Sequence, residues 1–259
     1  MKKIVAVFDG SKFSDSTLQY AIRMGLQHNA TITGVFSEKM EFAYAGGGGH
    51  RTMDGSRQFE YACQHAGINY NVRRGSDAVT QRILKESRYA DMLLLDASET
   101  MNPFREESPT PFVKDILTNA KCPVLLLPRH FTDVRKICWL YDGSPVSIFA
   151  FKMFSYILPV FNALPLNVVT VQAANHVQEL PYEGMVKELI GMHAPQAHFV
   201  SLKGQPEVEI AHYLKEQAAE SLVILGAYQR NALSMLFRPS MADVLIREQQ
   251  WPLFIAHNK

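Results

Sequence analysis

The sequence lacks most features that place a chain in a specialised class. Only three of its 259 residues are cysteine, an odd number without metal or redox-motif spacing. A disulfide framework is therefore not expected, and a reducing, cytoplasmic location is favoured. No apolar run approaches the ~18 residues of a membrane span, and the short run after Lys3 is too brief for a signal peptide.

An excess of one charge is also missing. The chain has 26 Lys and Arg against 25 Asp and Glu, for a net charge of +1. This balance indicates neither a nucleic acid nor a membrane as partner. The nine histidines show no ligand spacing, and no Ser/His/Asp or Cys/His triad can be assembled, so we predict no metal site and no catalytic residue. Cys122, before Pro123, is typical of a small buried apolar residue.

What the chain does contain is an internal repeat. Residues 4–11, IVAVFDGS, recur as ICWLYDGS at 137–144, and the strand-like segments at 92–95 and 122–127 recur near 222–225 and 251–255. The offset between copies drifts only from 133 to 129 residues. This predicts two homologous domains with loop insertions and deletions, at 1–130 and 131–259, rather than short solenoid repeats.

Each half alternates apolar strands with helical patterns. Strands are predicted at 4–8, 31–36, 68–72, 92–95, 124–127, 136–141, 167–171, 197–202, 222–225 and 253–256. Helices are predicted at 17–28, 58–65, 77–89, 113–119, 149–158, 182–192, 207–219 and 242–248. Apolar rather than alternating strands, separated by helices, predict an α/β fold: in each half a doubly wound, five-stranded parallel sheet.

The glycine-rich stretch at 38–56 has no periodicity. Four consecutive glycines suggest a phosphate-binding loop, but no Gly-Lys-Ser/Thr follows and no strand leads directly into a capped helix. We interpret it as a mobile loop between the second strand and the second helix.

The order of these features resembles the universal stress protein family, over nearly the whole chain and in two tandem copies. The resemblance is carried by Asp-Gly-Ser after the first strand (9–11 and 142–144), a late strand ending at Gly226, and the Cys-Pro-Val at 122–124. It implies a Rossmann-like, adenine nucleotide alpha hydrolase-like fold and a role in stress response. Family members that bind ATP carry Gly-x-x-Gly, nine residues and then Gly-Ser/Thr after the fourth strand, with an Asp of strand one by the adenine and a Val of strand two against the base.

The second half keeps part of this motif. Gly226 matches the first glycine, Gln229 replaces the second, and Ser240 follows Pro239 where the family has Gly-Ser. The resemblance also places Asp142 and Val171 at the adenine. Since proline has no N–H, the loop has lost a phosphate donor. The resemblance therefore implies a degenerate nucleotide site.

The first half departs further. Asp9 and Val35 match the adenine positions, but Asp96 and Glu99 replace both glycines, and Pro109-Thr110 stands where the family has Gly-Ser/Thr. At short range and partial burial, two carboxylates would repel a triphosphate by up to several kcal/mol. We therefore expect no ATP binding in this half.

Each candidate also has a structural interpretation. Asp9 and Asp142 precede Gly-Ser and are suited to capping the loop that follows. Ser240, with Asp243 three residues on, is typical of a helix N-cap. Arg230 and Arg238 near this loop are more typical of solvated charges than of phosphate ligands.

Three functions stay open. The first is a non-catalytic cytoplasmic stress-response protein that acts by ligand or protein contacts and requires no cofactor. The second is an ATP or AMP sensor that uses only the C-terminal domain, with slow ATPase activity. The third, an enzyme of the broader hydrolase-like group, lacks any acid, base or nucleophile cluster.

The tandem arrangement also predicts how the two halves pack against each other. By resemblance to the dimers of single-domain family members, the two halves should pair through their last strands, 124–127 and 253–256. A homo-dimer of whole chains is left open by the sequence.

Overall fold

The computed structural model describes residues 1–9, 13–37, 55–75, 79–102, 104, 106–172, 180–217, 220–226 and 241–256. Within them the strands are β1 (Lys3–Phe8), β2 (Thr31–Phe36), β3 (Tyr70–Arg73), β4 (Met92–Asp96), β5 (Val124–Leu127), β6 (Lys136–Leu140), β7 (Leu166–Gln172), β8 (His198–Lys203), β9 (Ser221–Gly226) and β10 (Leu253–Ala256). The helices are α1 (Asp15–His28), α2 (Gly55–Ala66), α3 (Val79–Ser87), α4 (Pro111–Asn119), α5 (Pro145–Ile157), α6 (Glu183–His193), α7 (Pro206–Glu216) and α8 (Met241–Glu248).

The alternation predicted from the sequence is confirmed, and the differences lie at the ends of helices and strands. Helix α5 begins four residues before the predicted start because Ser144 caps it and Pro145, with its fixed φ, occupies the first turn. Helix α2 begins at Gly55, inside the stretch interpreted as a loop, and residues 38–54 of that stretch lie outside the described residues. A short 3-10 helix at Pro159–Ala163 was not predicted.

The strands form one continuous sheet in the order β3-β2-β1-β4-β5-β10-β9-β6-β7-β8. Each half has the same doubly wound order, and within each half neighbouring strands are parallel. The order reverses between β1 and β4 in the first half and between β6 and β9 in the second. In open α/β sheets ligands bind in the crevice beyond the strand ends at such a switch point.

The halves join through their last strands, as predicted. Strand β10 pairs antiparallel with β5, with Leu253 opposite Leu126 and Phe254 opposite Leu125. The side chains of this seam are fully buried or nearly so. The domain limit at 130/131 falls in the connection between β5 and β6, where its exact position stays a prediction.

Two hydrophobic cores cover the two faces of the sheet, and each extends across the seam. One lies beneath α1, α2, α5 and α6 and includes Trp139, Phe154 and Phe254. The other lies beneath α3, α4, α7 and α8 and includes Val113, Leu214 and Leu245. Each large side chain buried there contributes about 1.5–3 kcal/mol to folding, so the seam stabilises both halves.

No helix in the described part of the chain combines the length and apolar character needed to cross a bilayer. The longest described helix, α1, has 14 residues.

Candidate functional site

Each switch point opens into a cavity at the carboxyl ends of the strands. The C-terminal cavity, of about 310 Å³, lies at the ends of β6, β7 and β9. Its lining includes Asp142, Val171 and Gly226, three residues that the sequence places at a nucleotide site. Much of the remaining lining is apolar, with Val169, Ile210 and Leu225 as examples. A flat, uncharged ring is the kind of group such walls would accept.

Asp142 caps the loop that leads from β6 into α5. Its Oδ1 accepts a hydrogen bond from the Ser144 N–H at 2.9 Å, and Ser144 Oγ in turn accepts from the Ser147 N–H at 3.2 Å. The Asp142 side chain is exposed. It can therefore hold this loop and still face a ligand in the C-terminal cavity.

Gly226 lies against the first turn of α5. A Cβ atom built at this position would lie 2.5 Å from the carbonyl carbon of Val146 and 2.6 Å from its oxygen. The glycine is thus required by the close packing of β9 on the helix, whether or not a phosphate binds nearby. Its presence alone is no evidence for nucleotide binding.

The rest of the family-like loop lies outside the described residues. This applies to Gln229 and Ser240 and to the neighbouring Arg230 and Arg238. The phosphate-binding half of the predicted site therefore stays a prediction. Among the residues that are described, no group of three or more His, Cys, Asp or Glu side chains could hold a metal ion.

The N-terminal cavity, of about 510 Å³, lies in the first half on the side of β4 and β5. Its walls are polar and aromatic side chains from the start of α1, the end of β4 and the segment after β5. They are Phe13, Ser14, Asp15, Ser16, Gln19, Asp96, Ser98, Glu99, Arg129, His130 and Phe131.

Asp96 ends β4 and is held by three hydrogen bonds. Ser14 Oγ donates to its Oδ2 at 2.9 Å, and the N–H and Oγ of Ser98 donate to its Oδ1 at 2.8 and 2.6 Å. Ser14 is also the N-cap of α1, accepting from the Thr17 N–H at 3.2 Å. The carboxylate thus links the strand end to the helix start.

Glu99 is only 5% exposed. Its Oε1 accepts from the N–H groups of Thr100 and Met101 at 2.9 and 3.1 Å. Burial raises the pKa of the Glu99 carboxyl to about 7; the charges of Asp9 and Asp96 add to the rise, and the two N–H groups oppose it. Glu99 therefore changes charge near neutral pH.

The other N-terminal candidates are placed as follows. Asp9 is buried beyond β1, with Ser37 Oγ donating to its Oδ1 at 3.4 Å. Val35 is fully buried in the core under α3 and α4 and does not line the N-terminal cavity. Thr110 is the N-cap of α4, accepting from the Val113 N–H and donating to the Glu99 carbonyl. Both hydrogen bonds of this hydroxyl are therefore made within the protein.

The two switch points also differ in the length of the loop that follows the first strand of each half. Helix α1 begins six residues after Asp9, whereas α5 begins three residues after Asp142. In the first half Ser14, the N-cap of α1, contacts the Asp96 side chain. In the second half the first turn of α5 lies directly against Gly226.

The three cysteines offer no reactive thiol. All are buried and free. Burial raises the pKa of the Cys63 and Cys122 thiols to about 12 and that of Cys138 to about 11. They are therefore protonated and unreactive at neutral pH, as the interpretation of Cys122 as a small buried apolar residue expects.

Sequence reasoning missed several residues of the N-terminal cavity. Ser16, Ser98 and Phe131 line it but match no motif. The signal available was local: Ser98 follows Asp96 by two residues, the spacing at which an Asp accepts from a nearby backbone N–H. Phe131 comes from the connection between the halves, which sequence reasoning treated only as a boundary.

Solved structures resemble this chain over almost its full length. A universal stress protein from Archaeoglobus fulgidus DSM 4304 has a TM-score of 0.63 and 14% identity, over 98% of this chain and 96% of that one. A putative universal stress protein from Pseudomonas aeruginosa UCBPP-PA14 has a TM-score of 0.68 and 15% identity, over 98% and 92%. This chain has the fold of the universal stress proteins.

A structure with a different description is similar to this chain as well. The cytoplasmic domain of a prokaryotic cation chloride cotransporter is similar over 99% of this chain and 95% of that one, with a TM-score of 0.51 and 11% identity. No family model and no curated protein matches the sequence. At these identities the likeness establishes the universal stress protein fold and leaves function to the site.

Proposed function

We propose that this chain is a tandem universal stress protein that acts in the cytoplasm as a non-catalytic stress-response protein and requires no cofactor. Its fold and the family motifs near Asp9 and Asp142 support the family role. The free cysteines agree with a reducing compartment. One observation carries the non-nucleotide part of this proposal: Glu99 takes the loop N–H groups that a phosphate would need.

The electrostatics of the N-terminal cavity support the same conclusion. Asp96 and Glu99 are 8% and 5% exposed and stand at both glycine positions of the family motif. Carboxylates with little access to water repel phosphate more strongly than exposed ones, because screening is weak. This repulsion adds to the occupation of the Thr100 and Met101 N–H groups by Glu99, so this half is unsuited to nucleotide in two separate ways.

A non-catalytic role is supported by how the reactive side chains are used. The thiols are buried with raised pKa values. The Thr110 hydroxyl is engaged on both sides, with the Val113 N–H and the Glu99 carbonyl. We therefore propose that this protein acts through ligand or protein contacts.

The second candidate function uses only the C-terminal half. The cavity there brings Asp142, Val171 and Gly226 together, with an apolar floor. This favours ATP or AMP as the alternative ligand, with the adenine between Val171 and Ile210. Slow ATPase activity belongs to this alternative.

A thermal-shift titration of the whole chain with ATP, ADP and AMP, with and without Mg²⁺, distinguishes the two candidate functions. A ligand present at 100 times its Kd would add about 2.7 kcal/mol to stability. Gly226→Asp is unsuitable as a site variant because its side chain would overlap Val146. Val171→Phe, which fills the C-terminal cavity from a partly buried position, is the better choice.

Val72→Phe is the matched control, because Val72 is also partly buried near a strand end but lies outside this cavity. A rise in Tm with nucleotide that Val171→Phe removes and Val72→Phe retains would establish the second function. No rise with any nucleotide supports the first. A rise that survives Val171→Phe would contradict both.

A further inference from the structure

We propose that a cavity between the starts of α5 and α6 binds the aromatic ring of a small uncharged molecule. This α5–α6 cavity has a volume of about 480 Å³. Its walls are Tyr141, Gly143, Pro145, Ile148, Tyr182, Met185, Val186 and Leu189. Among the described residues it shares only Tyr141 with the C-terminal cavity. Such binding goes beyond the proposed function and does not depend on a nucleotide in the C-terminal cavity.

In the first half the corresponding space is filled by the chain itself. Phe13 directly precedes Ser14, the N-cap of α1, and its ring stacks on Phe8 with centroids 5.0 Å apart and planes 7° apart. It also lies against α2, because a Cβ built on Gly55 would be 2.8 Å from the Phe13 ring. Phe13 thus places an aromatic ring between the end of β1 and the start of α2.

The second half has a glycine at this position. Gly143 directly precedes Ser144, the N-cap of α5, and therefore corresponds to Phe13. Its φ is +79°, and a Cβ built on it would lie 2.7 Å from the Cβ of Pro181, so a side chain here would be strained. The α5–α6 cavity lies beside this glycine. It is the space that the Phe13 ring occupies in the first half.

The other walls of the α5–α6 cavity correspond to residues around the Phe13 ring. Tyr141 and Phe8 are the buried aromatic residues that immediately precede the Asp-Gly-Ser motif of each half. Helices α2 and α6 each bury two apolar side chains four residues apart, and Phe59 and Val186 are the first of each pair. Phe59 packs on Phe8 with ring centroids 5.5 Å apart. Valine in place of this phenylalanine enlarges the space in the second half.

The walls favour a flat, uncharged ring. None of the described residues that line the cavity carries a charge, so an ionic ligand would lose water without gaining a partner. Tyr141 provides a ring and Met185 a thioether sulfur, and both groups pack favourably against aromatic rings. Tyr182 and Met185 form the rim and are 66% and 74% exposed. A bound ring would remove part of this apolar surface from water.

The cavity is preformed. Tyr141 Oη donates a hydrogen bond to the Pro181 carbonyl at 2.7 Å, which ties the end of β6 to the segment before α6. Trp139 packs against the Tyr141 ring with centroids 4.9 Å apart. The Tyr141 wall therefore keeps its position without a ligand, and binding costs little conformational freedom. The volume of about 480 Å³ is in the range of small-molecule sites.

Nuclear magnetic resonance of the full chain, labelled with ¹³C at the methionine methyl groups, tests the proposal by titration with indole. We expect the Met185 signal to shift saturably, with a Kd below about 1 mM. Met192, 68% exposed on the same helix but outside the cavity, should not shift. Cyclohexanol, an aliphatic molecule, should bind at least about threefold more weakly, because it cannot stack.

Leu189→Trp fills the α5–α6 cavity from a partly buried position and should weaken indole binding at least about tenfold. Met192→Trp is the matched control on the same helix and should bind as the native chain does. Circular dichroism confirms that both variants are folded. The titration of the native chain with the two ligands tests the proposal independently of either variant.

Four results would overturn the proposal. The first is the absence of a saturable Met185 shift, or a shift of Met241, which lines the C-terminal cavity, in its place. The second is equal affinity for indole and cyclohexanol. The third is indole binding that persists unchanged in a folded Leu189→Trp variant. The fourth is a dimer in sedimentation velocity that Leu189→Trp dissociates, which would assign the cavity to a second copy of this chain.

Discussion

Ser14 Oγ donates a hydrogen bond to Asp96 Oδ2 across 2.9 Å, and this one contact joins the N-cap of α1 to the end of β4. The second half has no such contact, because Gly226 lies directly against Val146 at the start of α5. The same fold therefore closes its two switch points in different ways. In the first half the buried carboxylate of Asp96 bonds to the start of α1. In the second half the strand end carries a glycine, so the backbone of α5 packs directly on it.

Ser14→Ala should destabilise the chain more than Ser144→Ala. Both lose an N-cap, which costs about 0.5–2 kcal/mol. Only Ser14→Ala also removes a donor from a buried carboxylate, which adds about 1–3 kcal/mol. Urea denaturation of the two variants measures the difference, and equal losses would show that the bond to Asp96 contributes nothing.

Glu99 should make stability depend on pH. Its folded pKa of about 7 lies above the usual value of ~4.3 for an unfolded chain. The native state therefore holds this proton more tightly, and the resulting stabilisation is complete below pH ~4.3 and lost as pH rises through 7.

Glu99→Gln isolates that effect, because glutamine does not titrate. The unfolding free energy of the native chain, relative to this variant, should fall by about 3 kcal/mol between pH 4 and pH 8. Chemical denaturation at several pH values measures it. A difference that stays constant or rises with pH would show that Glu99 is not destabilised as a carboxylate.

Gly226→Ala should destabilise the protein, although alanine suits most buried positions. Its Cβ would approach the Val146 backbone to 2.5 Å, and overpacking of this kind costs about 1–3 kcal/mol. Gly191→Ala is the control: this helical glycine has nothing within 4 Å of a built Cβ and should gain about 0.5–1 kcal/mol. Thermal unfolding should move the two variants in opposite directions.

The two halves should unfold together. Both hydrophobic cores cross the seam between β5 and β10, and contacts such as that of Tyr20 Oη with the Thr132 carbonyl, at 2.8 Å, tie α1 to the connection between halves. Calorimetry should show one transition whose van't Hoff and calorimetric enthalpies agree. Leu126→Ala should lower that single Tm, whereas two separated transitions would contradict a shared core.

Much of this fold can be predicted from the sequence because the pattern is strong and appears twice. Apolar runs such as those around Val5 and Leu94 are typical of strands that are covered on both faces. The pairing of the last strands was also predicted, through the resemblance to dimeric relatives, and β5 and β10 confirm it. The starts of α2 and α5 were placed too late, since caps and first turns carry little periodicity.

The sites were less predictable, for a physical reason. A motif gives the identity of a residue but not the packing that makes it necessary, and Gly226 was interpreted as a phosphate contact although Val146 leaves no room for a side chain. The sequence does predict that the carboxylates of Asp96 and Glu99 repel phosphate. No motif records their hydrogen bonds or the cavity that they line.

The most direct test of this account is the number of nucleotide sites per chain, measured by equilibrium dialysis with Mg²⁺–ATP on the native chain and on Val171→Phe. We predict no more than one site in the native chain and none in the variant, because the N-terminal half carries buried carboxylates at the positions of the family's phosphate-binding glycines. Two sites in the native chain, or one site that persists in Val171→Phe, would contradict it.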